Sequence, residues 1–262
     1  MRTYAEFAIK RFQNKMAYRA DCILGILNTM IMFMISYSIY KAIYGSSVQI
    51  DGITLSMTAT NFILALGLSN AYTMDEWFIE HKRDGGTIAC ELLRPVDFKF
   101  RMLWENIGEV AFQLLFQFVP AFVIAVIFTP ILMPHSALSL LLSLISGALG
   151  FLIMWELSFL AQMSCFWIYS SFGVKIIKNV LVNVLAGTML PLWFMPEAVR
   201  RVIACTPFDT IYFAPVQFYL GQLQGSDAIA PFIKQSIWIV ILFFFCNLLW
   251  EKARRKMVIQ GG

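Results

Sequence analysis

Long apolar stretches separated by short charged segments dominate the pattern of this chain. About six stretches approach the ~20 residues that an α-helix needs to cross a bilayer. The pattern therefore predicts an all-α polytopic membrane protein with six transmembrane helices. The predicted spans cover residues 22–44, 56–74, 107–128, 137–159, 179–192 and 231–250. The fifth is too short to span alone unless it begins near Gly173.

Residues 1–21 precede the first predicted span and carry apolar side chains at helical spacing. Tyr4, Phe7, Phe12 and Met16 lie on one face of such a helix, and charged side chains lie elsewhere. An amphipathic pattern of this kind predicts an interfacial helix at the inner membrane surface. An ordinary positively charged flank of the first span is the alternative.

Basic residues gather in alternate connecting segments, which indicates orientation. With the N-terminus in the cytoplasm, every Lys and Arg falls in the first, third, fifth or last connecting segment, apart from Lys41, Arg200, Arg201 and Lys234. Basic residues resist translocation across a membrane. Both termini and residues 75–101 are therefore predicted to be cytoplasmic.

Composition agrees with a membrane protein. The chain is 59% hydrophobic and 14% charged, with a mean hydropathy of +0.71, which is too apolar for a soluble domain of this length. The net charge of +4 lies on segments that flank the predicted spans, so it indicates contact with anionic lipid and not with nucleic acid. The first 20 residues lack an apolar core, so no cleavable signal peptide is expected.

Known catalytic and cofactor motifs are absent from the sequence. There is no GxxxxGK[ST] phosphate-binding loop, HExxH or GxSxG motif, and the five cysteines show no CxxC spacing. The cysteines are interpreted as small apolar residues. We therefore expect no catalytic, metal-binding or cofactor-binding residue in this chain, and no enzymatic activity of its own.

Residues 75–101 form the largest inner segment. A charged stretch, a double glycine, a short apolar stretch and a closing proline predict a structured element that docks on a soluble partner. The residues that carry this interpretation are Gly85, Gly86, Leu92, Leu93, Arg94 and Pro95. An unstructured, solvated loop is the alternative.

Residues 191–230 are rich in proline yet remain apolar and aromatic. Their pattern predicts two short helices that enter and leave the outer leaflet as a re-entrant hairpin, which would form an outer gate. The residues singled out are Gly187, Pro191, Pro196, Pro207, Phe208 and Pro215. An amphipathic outer loop is the alternative.

Three polar residues inside predicted spans are candidates for a translocation pathway. Glu156 lies within the fourth span, where a carboxylate costs a few kcal/mol and should face protein or water. It could contact a cationic substrate, couple to protons, or form a structural hydrogen bond. Asn61 and Asn70 could line the pathway or bridge helices.

Two groups of motifs resemble those of a known family. They are Gly86 with the run at 92–96 (LLRPV), and the glycine–proline–aromatic pattern of 187–196, 206–208 and 212–216. The chain is similar to ABC-2 type transporter permeases, in the branch of the daunorubicin- and viologen-exporter-like bacterial permeases. The resemblance covers residues 1–262 as a single transmembrane domain.

The resemblance implies a function. Such proteins have six spanning helices, an N-terminal interfacial helix and a re-entrant hairpin, and they lie in the bacterial cytoplasmic membrane. They pair with an identical or homologous second permease over two copies of a separate ATPase, which binds ATP and Mg. The ATPase stroke would reach the spans through residues 75–101. By alternating access, the pair would export an amphipathic drug, peptide or lipid-like substrate.

Two other functions remain open from the residues alone. One is an ion-coupled transporter with Glu156 as its proton site, and the other is a non-transporting membrane scaffold or immunity protein. Copurification with an ATPase would separate the exporter from both.

Overall fold

The fold is all-α apart from one short hairpin. The computed structural model describes residues 2–256, without the side chains of Arg19 and Ser226. In chain order the helices are α1 (Arg2–Ala17), α2 (Arg19–Tyr44), α3 (Leu55–Ala71), α4 (Phe78–Asp84), α5 (Ile88–Leu92), α6 (Phe98–Gln113), α7 (Val119–Phe128), α8 (Ala137–Met163), α9 (Phe172–Leu185), α10 (Glu197–Ala204), α11 (Phe213–Tyr219) and α12 (Ile229–Lys256). Strands β1 (Gln49–Ile50) and β2 (Ile53–Thr54) pair antiparallel before α3.

Within residues 2–256, four helices are long and apolar enough to cross a membrane. They are Ala20–Tyr44, Phe98–Phe128, Ala137–Phe166 and Ile229–Lys256. The predicted second and fifth spans correspond to α3, with 17 residues, and α9, with 14 residues. At ~1.5 Å per residue both are shorter than a hydrocarbon core of ~30 Å. The polytopic helical class is confirmed, and the number of six spans stays a prediction.

Two helices begin before the apolar spans predicted from the sequence, because charged residues lie inside each helix. Helix α6 begins at Phe98, inside the predicted inner segment 75–101, because the Asp97 side chain accepts a hydrogen bond from the Phe100 amide (2.9 Å) and caps the helix. Helix α9 begins at Phe172, although the predicted fifth span begins at residue 179. Acidic partners allow this helix to bury its two lysines.

Helix α8 lies at the centre of the bundle, where it packs against α9, α11 and α12. Phe159 and Met163 of α8 are fully buried. At Gly150, a Cβ atom would lie 2.5 Å from the carbonyl oxygen of Ile211. The absence of a side chain there lets the segment before α11 approach the α8 backbone.

A π-helical turn, Leu114–Phe118, joins α6 to α7 inside the third predicted span. Phe118 projects from this turn so closely to α3 that a Cβ atom on Gly67 would lie 2.0 Å from its ring. Gln117 approaches Gly25 of α2 in the same way, at 2.7 Å. The turn therefore brings α2 and α3 against the same point of the long helix.

The predicted N-terminal helix is present as α1 and packs along α6. Glu109 of α6 accepts hydrogen bonds from the Arg11 guanidinium (2.7 and 2.9 Å), and its other oxygen lies 2.5 Å from Lys15 Nζ. Beside it, Gly108 lies so close to Ala8 that a Cβ atom would come within 2.1 Å of the Ala8 carbonyl oxygen. These contacts hold α1 against the bundle, while its place in the membrane interface stays a prediction.

We expect Gly108→Ala to weaken the attachment of α1, because the added methyl group would overlap the Ala8 backbone. The free energy of unfolding should fall by about 1–3 kcal/mol, and trypsin should cleave more readily after Arg11 and Lys15. Gly173→Ala is the matched control, since a Cβ atom there meets nothing within 4 Å. That change should be neutral or stabilise the helix by about 1 kcal/mol. Equal tryptic protection of α1 in both variants would contradict the expectation.

Candidate coupling element and cavity

The inner segment after α3 folds into two short helices, α4 and α5, joined by the double glycine. The Gly85 amide donates to the His81 carbonyl (2.9 Å) and ends α4. Gly86 follows at φ +66°, a conformation that L side chains rarely adopt. The predicted structured element is therefore present. We call the two helices with the following Leu93–Pro95 turn the coupling element.

Leucine side chains protrude from the end of the coupling element. Leu93 is 84% exposed, and Leu92 is 36% exposed. The Pro95 that follows is also exposed. An apolar side chain this exposed, outside every span candidate, offers a contact to another protein.

A buried carboxylate anchors the coupling element to α6. Glu91 is 6% exposed, and its oxygens lie 2.7 Å from Arg101 Nη2, 2.9 Å from Lys82 Nζ and 3.3 Å from Arg94 Nε. Burial opposes ionisation, but the hydrogen bond from Lys82 and the charges of Arg101 and Arg94 outweigh it and lower the pKa of Glu91. Arg94, one of the predicted docking residues, therefore already pairs with a carboxylate of its own chain, although half of its side chain is exposed.

A second buried carboxylate joins the coupling element to α9. Glu80 of α4 is 5% exposed and accepts hydrogen bonds from Lys175 Nζ (2.8 Å), the Ser171 amide (3.3 Å) and the Ser171 hydroxyl. Lys175 is 2% exposed, and its ammonium also lies 3.7 Å from the centre of the Trp77 ring. A buried lysine is tolerated here because a carboxylate and an aromatic face both stabilise its charge.

Further contacts between the coupling element and α9 lie on either side of Glu80. One turn before Glu80, Glu76 accepts a hydrogen bond from Lys178 and a longer one from the Asn179 amide group (3.3 Å). About one turn after Glu80, Arg83 donates to the carbonyl of Tyr169 (2.8 Å). Arg83 of α4 and Glu76, which precedes α4, therefore add to the attachment of the coupling element to α9 and to the connection from α8 to α9.

The ion pair with Lys175 lowers the pKa of Glu80. Burial would raise its pKa, but the hydrogen bonds from Lys175 and Ser171 outweigh burial and lower the pKa from 4.5 to about 2. A lowered pKa means that the ionised carboxylate stabilises the folded state above about pH 4.5. This stabilisation is lost as the pH falls through about 2. The junction is therefore intact at neutral pH.

A polar cavity of about 440 Å³ opens between the C-terminal end of α3 and the C-terminal half of α9. It is lined by residues of α3, of the segment leading into α4, of α8, of α9 and of the segment before α11. The lining residues are Ser69, Asn70, Thr73, Met74, Asp75, Glu76, Trp77, Met154, Asn179, Val182, Asn183 and Tyr212. A larger groove of about 730 Å³ between α3, α6, α7, α8 and α11 has no charged residue in its lining.

The three predicted pathway residues lie in different places. Asn70 lines the polar cavity and donates a hydrogen bond to Thr29 of α2 (2.9 Å). Asn61 is fully buried, and neither amide atom has a hydrogen-bond partner among the described residues. Neither Asn61 nor Glu156 lines the cavity. A pathway through all three stays a prediction.

Glu156 is buried where α8 meets α12. It is 4% exposed, and its Oε2 atom has no hydrogen-bond partner within the described part of the chain. The Cys246 thiol of α12 donates to its backbone carbonyl (3.6 Å). On the same helix, Asn247 Oδ1 accepts from Lys99 Nζ (3.0 Å), and Lys99 is also buried. Glu156 faces the protein interior, as the cost of a charge inside a span requires.

The proline-rich segment forms two short helices, α10 and α11, as the sequence predicted. Gly187 adopts φ +81° after α9, and Pro191, Pro196 and Pro207 each precede a short helix or 3-10 turn. Phe208 packs partly buried against the main core, and Pro215 is buried inside α11. Whether this segment enters the membrane as a hairpin stays a prediction.

Polar contacts attach the segment before α11 to α12 and α8. Lys234 Nζ donates to Asp209 Oδ1 (2.6 Å). The fully buried Gln235 amide donates to the carbonyls of Thr210 (2.8 Å) and Ser146 (2.9 Å). A movement of α12 against α8 would therefore displace this segment.

Several residues of the candidate site were missed by the sequence analysis. They are Asp75, Glu76, Trp77, Glu80, Lys175, Lys178, Asn179, Asn183 and Tyr212. The signal available was the spacing of acidic residues at 76 and 80 and of lysines at 175 and 178, which each place two charges on one helical face. Nothing in the sequence showed that these two faces meet.

Comparison with known families agrees with this architecture. The family of ABC-2 family transporter proteins matches residues 22–261. The chain belongs to the ABC-2 transporter family. Proteins of this family are the permease components of ABC transporters, typically without an ATPase site of their own, so the family implies association with an ABC ATPase. No curated protein matches the sequence.

We expect Lys175→Met to destabilise this ABC-2 permease strongly, because it leaves the Glu80 carboxylate buried without its cation. The expected loss is about 3–5 kcal/mol at pH 7. The double variant Glu80→Gln/Lys175→Met should recover part of it, since no unpaired charge remains. Lys10→Met, at an exposed position of α1, is the control. Unfolding in mixed detergent micelles measures all three, and a fully stable Lys175→Met protein would contradict the assigned pairing.

Proposed function

We propose that this chain is the membrane-spanning subunit of an ATP-driven exporter, which moves an amphipathic drug, peptide or lipid-like substrate outward. The observation that carries the proposal is the coupling element. It presents Leu93 outside the spans while buried ion pairs bind it to two separate helices. A protrusion with a rigid base is what transmission of a mechanical stroke requires.

The ion pairs suggest how a movement of the coupling element would be divided between α6 and α9. A push on the exposed end of α5 would reach α6 through Glu91 and Arg101. A displacement of α4 would reach α9 through Glu80 and Lys175. Because a buried ion pair is costly to break by removing one partner from the other, each helix pair should move as a unit. Alternating access would then follow from a change in the angle between α6 and α9.

The proposed pathway begins at the polar cavity between α3 and α9. Asn70 is the predicted pathway residue that lines it. Residues 191–230 would close the outer side, because the segment before α11 is bonded to α12 and α8 and so would follow their movement. Asn61 and Glu156 do not line this cavity, so the proposed pathway does not rest on them.

The proposed assembly contains more than this chain. Two such permeases, identical or homologous, would stand over two ATPase subunits that hold ATP and Mg. The complex would lie in a bacterial cytoplasmic membrane, with both termini and the coupling element inside. The positions of basic residues along the sequence support this orientation.

We expect Leu93→Asp to abolish recovery of the cognate ATPase in pull-down from detergent, because it places a charge in an apolar contact. Val48→Asp is a matched control, since Val48 of the loop before β1 is also 84% exposed. Both variants should insert and purify normally. Unchanged ATPase recovery with Leu93→Asp would mean that docking occurs elsewhere, for example on α1.

We expect two native cysteines to report the orientation. Cys90 of the coupling element and Cys205 after α10 are both exposed. In variants that keep only one of them, a membrane-impermeant maleimide should label Cys205 on intact spheroplasts and Cys90 only after permeabilisation. The opposite pattern would overturn the proposed topology.

A further inference from the structure

We infer that the larger groove, between α6–α7 and α8, holds the acyl chain of a phospholipid from one leaflet of the bilayer. Its volume of about 730 Å³ is that of a small-molecule site. The bound lipid is a structural component that joins two groups of helices, and it is distinct from the exported substrate. The inference therefore does not depend on which substrate the permease moves.

The groove exists because two consecutive spans pack on different partners. Helices α6 and α7 pack against α1, α2 and α3, whereas α8 packs against α9, α11 and α12. Both segments, Phe98–Phe128 and Ala137–Phe166, are long and apolar enough to cross a membrane. The groove lies between them, with Leu64 of α3 and Val216 of α11 also in its wall. A space between two spans adjoins hydrocarbon, since the core of a bilayer contains no water.

The groove is open along α8. Leu144, which lines it, is 64% exposed, and the lining residues Leu140 and Ala148 are also exposed. Because these three residues follow one another at intervals of four, they lie on the same side of the helix. They form a continuous apolar edge, across which an acyl chain of the surrounding bilayer can enter the groove.

The side chains of the groove offer a ligand almost no polar contact. The polar side chains in its lining are Tyr72, Ser143 and Tyr219. The Tyr72 hydroxyl already donates to the Gly147 carbonyl (2.6 Å). The Tyr219 hydroxyl donates to the Leu132 carbonyl (3.2 Å). A bound water needs several polar partners, and an empty groove would lose dispersion contacts, so hydrocarbon is the chemistry that this lining fits.

The length of the groove favours an acyl chain over a helix from a second copy of this chain. Along α8 the lining extends from Leu140 to Leu152, which is ~18 Å at ~1.5 Å per residue. Half of a hydrocarbon core is ~15 Å, whereas a helix that crosses the membrane covers ~30 Å and would extend far beyond the groove. Met133 and Pro134 line the end at the α7–α8 connection, so the lipid belongs to the leaflet on that side.

The test counts the phospholipids that stay bound to the full-length permease after extensive washing in detergent, by native mass spectrometry. The protein is first reconstituted in phosphatidylcholine. About one phospholipid per chain should remain on the unchanged protein. Ala148→Phe should lose it, because the added ring occupies the groove. Leu141→Phe is the matched control, since Leu141 of α8 is 52% exposed and lies outside the lining.

Photolabelling of the unchanged protein keeps the test independent of folding defects. The protein is reconstituted with phosphatidylcholine that carries a diazirine on one acyl chain, washed in detergent and then illuminated. A diazirine near the ester should label Leu140 and Met133. A diazirine at the methyl end should label Leu152 and Ile107, which line the opposite end of the groove.

Three results would overturn the inference. They are the absence of a retained phospholipid, equal retention by Ala148→Phe and the unchanged protein, and labelling of the outward face at Leu141 in place of the groove. A disulfide between two copies of Leu144→Cys, in a chain without its native cysteines, would place a second copy at the groove and would also overturn it. If the cognate ATPase still copurifies in any of these cases, the permease function stands and only the lipid site is lost.

Discussion

Pairing of buried carboxylates with basic side chains from neighbouring helices is the interaction on which the rest of this structure depends. Glu80, Glu91 and Glu109 are each at most 6% exposed, and each contacts one or more basic residues from another element. Removing one partner of such a pair leaves an unsatisfied charge and costs several kcal/mol. The three carboxylates attach α4 to α9, α5 to α6 and α1 to α6.

Some charged side chains form no ion pair among the described residues. Asp75 lines the polar cavity and is exposed. Glu156 and Lys99 are both buried near α12 without a direct ion pair between them, and each instead meets neutral groups of that helix. The paired charges, by contrast, attach neighbouring elements to each other.

Most of the secondary structure followed from the sequence. Apolar length indicated the long spans, and the prolines between residues 191 and 215 indicated the two short helices α10 and α11. The double glycine indicated the turn that the positive φ of Gly86 forms. One feature of α9 did not follow from local pattern. The burial of Lys175 and Lys178 inside α9 did not follow from the sequence, since lysine is rarely buried. It depends on contacts with Glu80 of α4 and with Glu76, which precedes α4.

Membrane class and the family of permeases were therefore decided by local pattern, because hydropathy and short motifs are properties of contiguous residues. The sites were decided by tertiary structure. Asp75, Asn183 and Tyr212 are far apart in the chain and meet only because α3, α9 and the segment before α11 converge. Asn61 and Glu156 had the stronger sequence signal, as polar residues inside spans, yet they lie outside that cavity. Whether a polar side chain lines a cavity or joins two helices depends on which helix packs against it, and one sequence does not specify that neighbour.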